Sequence, residues 1–102
     1  MNPTIRSFFL GFIKIHILHH GAKEPMFGLW LIDELKRHGY NISPGTLYPT
    51  LHSLEEDALL QSYKKVVKGK IRKYYRTTPK GKIILHEAKI KVQELLHEIM
   101  GE

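Results

Sequence analysis

The segment SPGTLYPTLHSLEEDALL, residues 43–60, decides how the rest of the chain folds. Leu47, Leu51 and Leu54 lie on one helix face, and Ser43 and Pro44 supply an N-cap and a first-turn proline. Pro49 falls between the first two leucines. Its missing N–H would cost about 3 kcal/mol at an interior helix position but little in the first turn, where that group has no partner anyway. The regular helix is therefore expected to begin at Thr46 or Leu47, after a looser or 3₁₀ entry, with Pro49 in its first turn. Thr46, Tyr48, Thr50 and Ser53 then stand off the leucine stripe, free to reach a ligand.

Downstream the period changes. LQSYKKVV (60–67) and IRKYYRTT (71–78) are rich in β-branched and aromatic residues and flank KGK, which predicts a hairpin with a three-residue loop. Alternation puts Tyr63, Lys65 and Val67 on one face. Thr78 then caps a last helix with Pro79 in its first turn, and Leu85, Ala88, Val92, Leu95 and Ile99 step along it at helical spacing. Upstream, MFGLWLIDELKRHG (26–39) predicts a second helix with Phe27, Leu31, Ile32 and Leu35 as its stripe, Lys36, Arg37 and His38 at the negative end of its dipole, and Gly39 as its stop. Before it, Ile5, Phe8, Phe9, Phe12 and Ile13 mark a first helix over residues 4–20, with Gly21 as its terminator. The expected fold is mainly α with a small β-hairpin (α+β), in the order helix, helix, helix, hairpin, long helix.

Composition narrows the functions. The 102 residues suit one core, and the absence of cysteine excludes disulfides, thiolate zinc sites and cysteine nucleophiles, which fits a reducing, cytoplasmic compartment. IRSFFLGFIKIHIL (5–18) is too short and too charged to span a bilayer, so no membrane partner is expected. The net charge of +6 is unevenly placed. Residues 58–86 hold nine Lys or Arg and no acid, whereas the other 73 residues hold seven basic against ten acidic side chains. A solvated lysine-rich surface is the ordinary reading of a charge run, but 29 residues without one acid favour a polyanion-binding face.

Helices 2 and 3, joined by a short turn with Gly39, form a helix-turn-helix pattern, and a basic hairpin directly after it makes a winged helix-turn-helix. The candidate DNA contacts are Ser43, Thr46, Tyr48, Pro49, Thr50, His52 and Ser53 on the recognition helix (about 43–57), with Lys64, Lys68, Lys70, Arg72 and Lys73 on the wing (about 60–78). Residues 1–78 are expected to form the DNA-binding unit and 79–102 a dimerisation helix in the same compact body. A helix of about 30 Å from Lys80 onward would overhang its own domain and expose apolar residues at its end. Phe8, Phe9 and Phe12 of helix 1, with Leu85, Ala88, Val92, Leu95, Leu96 and Ile99, are the candidate dimer interface.

HGYNISPGTLYPTLHSLEEDALL followed by KIRKYYRTTPKGK resembles the PadR family of bacterial and archaeal transcriptional regulators, over about residues 26–85. The resemblance implies a winged-helix repressor, dimeric through helix 1 and the last helix. It implies DNA contacts at Thr46, Tyr48 and Pro49 and at wing residues near Lys70, Arg72 and Lys73. It also makes Trp30, otherwise most simply a core or interface residue, a candidate contact for a small apolar effector at the dimer interface. Two positions depart from the family pattern. Ala58 replaces the glycine that usually ends the recognition helix, at a cost of about 1 kcal/mol or more if the cap is left-handed, so an exit turn of different construction is expected. Thr77 replaces a leucine, with looser packing expected beneath the wing.

Rival readings are weaker. His16 and His20 have the spacing of a helical zinc pair, but no third ligand stands at a diagnostic distance in sequence, and no metal or cofactor is expected. A small basic RNA-cleaving or RNA-binding protein is the alternative function. It lacks a visible His, Glu and Arg constellation, so an enzyme is not expected. A protein-binding winged helix would carry a neutral or acidic wing.

Overall fold

A computed structural model describes residues 2–101; the chain's two end residues, at the limits of the expected units, lie outside them. Among the described residues there are four helices and one three-stranded antiparallel sheet. They run α1 (Pro3–Lys23), β1 (Met26–Phe27), α2 (Gly28–Arg37), α3 (Pro44–Glu56), β2 (Leu60–Val67), β3 (Lys70–Thr77) and α4 (Pro79–Met100). The sheet order is β1-β3-β2. This is the expected winged helix-turn-helix with a long final helix, plus one strand that periodicity could not reveal. Met26 and Phe27 pair with Tyr75 and Tyr74 of the wing, so Phe27 is a strand residue and not part of the α2 stripe. Two residues are too few to show an alternation.

The core joins every element except the far half of α4. Ile13, Ile17 and Leu18 of α1 meet Leu31 and Leu35 of α2, Leu47, Leu51 and Leu54 of α3, and Met26, Leu60, Tyr75 and Leu85. Leu85, expected at a dimer interface, is therefore part of its own subunit's core. Of the expected α1 stripe only Ile13 is buried; Ile5, Phe8, Phe9 and Phe12 are exposed, and the inward face runs on through Ile17 and Leu18, one turn further along. Gly21 does not stop α1; it lies buried inside the helix. A Cβ there would stand 2.7 Å from Thr77 Oγ1, so glycine serves a close crossing rather than a cap. Thr77 in turn donates its hydroxyl to the Leu18 carbonyl at 2.8 Å, so the wing base is tied down where looser packing was expected.

Three turns set the geometry of α3 and the hairpin. Helix α3 begins at Pro44, and both Thr46 and Leu47 donate to the Ser43 carbonyl, at 3.0 and 2.9 Å. Ser43 is the N-cap by position, though its side chain bonds no backbone N–H. Pro49 is consequently the sixth helical residue, an interior position and not a first-turn one, and the Gly45 carbonyl lacks its helical donor. At the other end Ala58 takes φ 60, with Ala58 N–H on the Glu55 carbonyl and Leu59 N–H on that of Leu54. This is the left-handed Schellman exit built with alanine in place of glycine, not a differently constructed turn. The wing loop is two residues, Lys68 and Gly69, rather than three; both have positive φ, 52 and 77, as in a type I′ turn, and Val67 faces Lys70. Thr78 caps α4 as expected, its hydroxyl accepting from Gly81 N–H while donating to the Ala58 carbonyl.

Candidate nucleic-acid interface

Leu47, Leu51 and Leu54 anchor α3 to the core, and that rotation decides which side chains face out. Ser43, Tyr48, Pro49, His52 and Ser53 are exposed. Thr50 is not: it is 8% exposed, and its hydroxyl donates to the Thr46 carbonyl at 2.8 Å. A helical period of 3.6 puts residue 50 at the margin of the stripe, so the sequence reads it as outward where only packing decides. Thr46 is half-buried and lies on the α1 side, in a groove of about 590 Å³ with Phe9, Leu10, Ile13, Tyr40 and Ile42. The first turn of α3 carries no acidic residue, which leaves the positive end of its dipole open to an anion.

The wing stands beside this face. Because β1 pairs only with Tyr74 and Tyr75, it leaves the edge of β3 over residues 70–73 uncovered. Between that edge and α3 runs a groove of about 720 Å³, with Tyr48 and His52 on one wall, Lys68, Lys70, Arg72 and Lys73 on the other, and Phe27, Gly28 and Leu29 closing it. Gly28 went unnoticed in the sequence. A Cβ at that position would collide with the Tyr48 ring, so the first residue of α2 must be glycine for Tyr48 to lie across it. The signal available was a glycine in the first turn of a helix, where it has no conformational reason to be.

The basic residues are not equivalent. Arg72 stacks over the Phe27 ring, Cζ 4.1 Å from its centre, and its Nη1 reaches the Tyr74 hydroxyl at 3.5 Å, which holds the guanidinium in a fixed plane. Lys73 points toward α3, with Nζ 3.9 Å from Glu55 Oε1, so part of its charge is already answered inside the protein. Glu55 also accepts from Ser62 and is the one acid in the groove lining among the described residues. Lys68 and Lys70 stand exposed at the tip. Lys64 faces Lys73 directly across the ladder, and Lys65 faces Arg72. Like charges placed opposite one another destabilise a hairpin. On α3, His52 Nε2 lies 3.0 Å from Glu56 Oε1. Trp30 lines neither groove; it packs edge-on against His20, ring centres 5.4 Å apart.

The chain is similar along most of its length to known regulators. The PadR-like transcriptional regulator family matches residues 17–87. Transcriptional regulator Rv3488 of Mycobacterium tuberculosis is 50% identical over 97 residues, 95% of this chain and 91% of that protein. A PadR family regulator from Eggerthella lenta superposes with a TM-score of 0.82 at 32% identity, over 96% of this chain and 87% of that one. A PadR-like regulator from Bacillus cereus gives 0.82 at 29% identity, over 89% and 90%. With the winged-helix geometry in place, these matches establish that the chain belongs to the PadR-like family of transcriptional regulators.

Proposed function

We propose that this regulator is a repressor that binds a pseudo-palindromic double-stranded operator as a homodimer, and that a small apolar effector releases it. The observation that carries the DNA-binding reading is the pairing of Lys64 with Lys73 and of Lys65 with Arg72 on an acid-free hairpin. Such pairs cost stability in the free protein, and a phosphate backbone running along the hairpin offsets that cost. Exposed Ser43, Tyr48, Pro49, His52 and Ser53 supply the face that reads bases, while Lys68, Lys70 and Arg72 hold the backbone. The two-fold reading rests on apolar residues left uncovered on α1 and α4, since paired subunits would set two recognition helices about one DNA turn apart. An effector would find the apolar groove walled by Phe9, Ile13, Tyr40 and Ile42 better suited than the packed Trp30.

Selection of bound duplexes from a random DNA pool, run beside a random RNA pool, tests the proposal. The expected outcome is a palindromic DNA consensus with a steep fall in affinity as salt rises. Enrichment of RNA alone, or of DNA without a consensus, would overturn it.

A further inference from the structure

The DNA-binding reading leaves unused a cluster of histidines where α1 crosses the end of α2. His16 and His20 stand one turn apart on α1, and the fold brings His38, the C-cap residue of α2, against them. One ring nitrogen from each of the three lies within 4.8 Å of the other two. The rings of His16 and His38 are stacked with centres 4.8 Å apart, and Trp30 closes the inner side against His20. His20 Nε2 is buried and has no hydrogen-bond partner, a rare condition for a ring nitrogen.

The chemistry of the three rings suits a ligand set. Burial holds the pKa of His16 and of His20 below the usual imidazole value, with the neighbouring histidines adding to the effect and Glu34 opposing it. Glu34, buried one turn before His38, places Oε1 3.2 Å from His38 Nε2 and accepts from Arg37 Nη1 at 3.1 Å. With Nε2 donating to the Glu34 carboxylate, Nδ1 is the His38 nitrogen left to bind a ligand. A carboxylate behind an imidazole in this way is the usual means of orienting a metal-bound histidine.

The geometry points to a transition-metal site at the junction of α1 and α2, with His16, His20 and His38 as ligands, Glu34 orienting His38, and water in the remaining position. Three imidazoles select a borderline divalent ion such as zinc over magnesium or calcium, which prefer oxygen. Nitrogens at 2.0–2.1 Å from a tetrahedral zinc ion stand about 3.4 Å apart, so the rings need to move by on the order of 1 Å. His38 is exposed and supplies the entry path. Simple aromatic packing is the competing account, but it leaves His20 Nε2 unpaired, where a hydrocarbon ring would cost nothing.

The test uses the full chain freed of metal by chelator, with Zn²⁺ in calorimetry and Co²⁺ as the spectroscopic probe. The expected result is one ion per chain, with tetrahedral Co²⁺ absorption and a melting temperature that rises with Zn²⁺. His38→Ala, at an exposed position where the fold is safe, should weaken Zn²⁺ binding about 100-fold and abolish the Co²⁺ spectrum, and Glu34→Gln should weaken it about 10-fold. His97→Ala, at the far end of α4, should change neither. Absence of binding, full binding by His38→Ala, or an equal loss in His97→Ala would each overturn the assignment. The result is independent of whether DNA is bound.

Discussion

Ala58 holds φ 60 with a Cβ that crowds the following carbonyl, and it does so because the bonds from Ala58 and Leu59 back to Glu55 and Leu54 require a left-handed residue there. Ala58→Gly should relieve about 1 kcal/mol, raising the melting temperature by roughly 4–8 °C, which a thermal scan monitored by circular dichroism would detect. No change would mean that the turn relaxes without strain. Pro49 poses the same question inside α3. An interior proline forfeits the bond to the Gly45 carbonyl, whereas alanine restores it at the expense of a looser unfolded chain. The net expectation for Pro49→Ala is a gain of about 1–2 kcal/mol in denaturant unfolding. Because Pro49 is exposed on the face proposed to meet DNA, the same change should weaken operator binding, so stability and function should move in opposite directions.

Under the proposed function, helix α3 and the wing divide the work of recognition as elements. Phosphate contacts are blind to sequence and base contacts are not. Lys68→Ala with Lys70→Ala, at the wing tip, should weaken operator and random DNA equally and reduce the slope of log K against log salt by about 2. His52→Ala or Ser53→Ala should instead narrow the operator-to-random ratio, by about 1 kcal/mol where a base contact is lost. Thr50→Val serves as the control, since the buried hydroxyl bonds Thr46 and should affect stability while leaving that ratio unchanged. Fluorescence anisotropy with both duplexes at several salt concentrations separates the three outcomes. Within the wing, Lys64→Thr removes one like-charge pair and should stabilise the free protein by a few tenths of a kcal/mol while lowering DNA affinity.

At the scale of the whole molecule the longest dimension is 55 Å, well beyond the 22 Å of the shortest, because the second half of α4 leaves the core behind. Leu95, Leu96, Ile99 and Met100 are 51–74% exposed, and Phe8, Phe9 and Phe12 are uncovered on α1. Water disfavours so many apolar side chains on one monomer, and a second copy is the occupant that the proposed two-fold operator calls for. Sedimentation equilibrium at micromolar concentration should give a dimer for the intact chain and a monomer for Leu95→Glu with Ile99→Glu. Leu85→Glu should behave differently, unfolding the subunit, since that leucine is buried in its own core. A monomeric intact chain would refute the pairing.

What the sequence by itself determined was local and periodic. The leucine stripe of α3, the acid-free alternation of the hairpin, the Thr78 cap and the Gly39 stop each follow from a spacing or a single residue's backbone preference, and these are short-range effects. Tertiary structure alone decided the rest. Gly21 reads as a terminator until Thr77, 56 residues away, is found against it. Thr50 lies at the edge of a stripe, and packing against the core turned it inward. Met26 and Phe27 become a strand only because β3 offers them an edge. His38 joins His16 and His20 only because two helices cross there. In each case the deciding partner is distant in sequence, and close approach in space leaves no periodic trace along the chain.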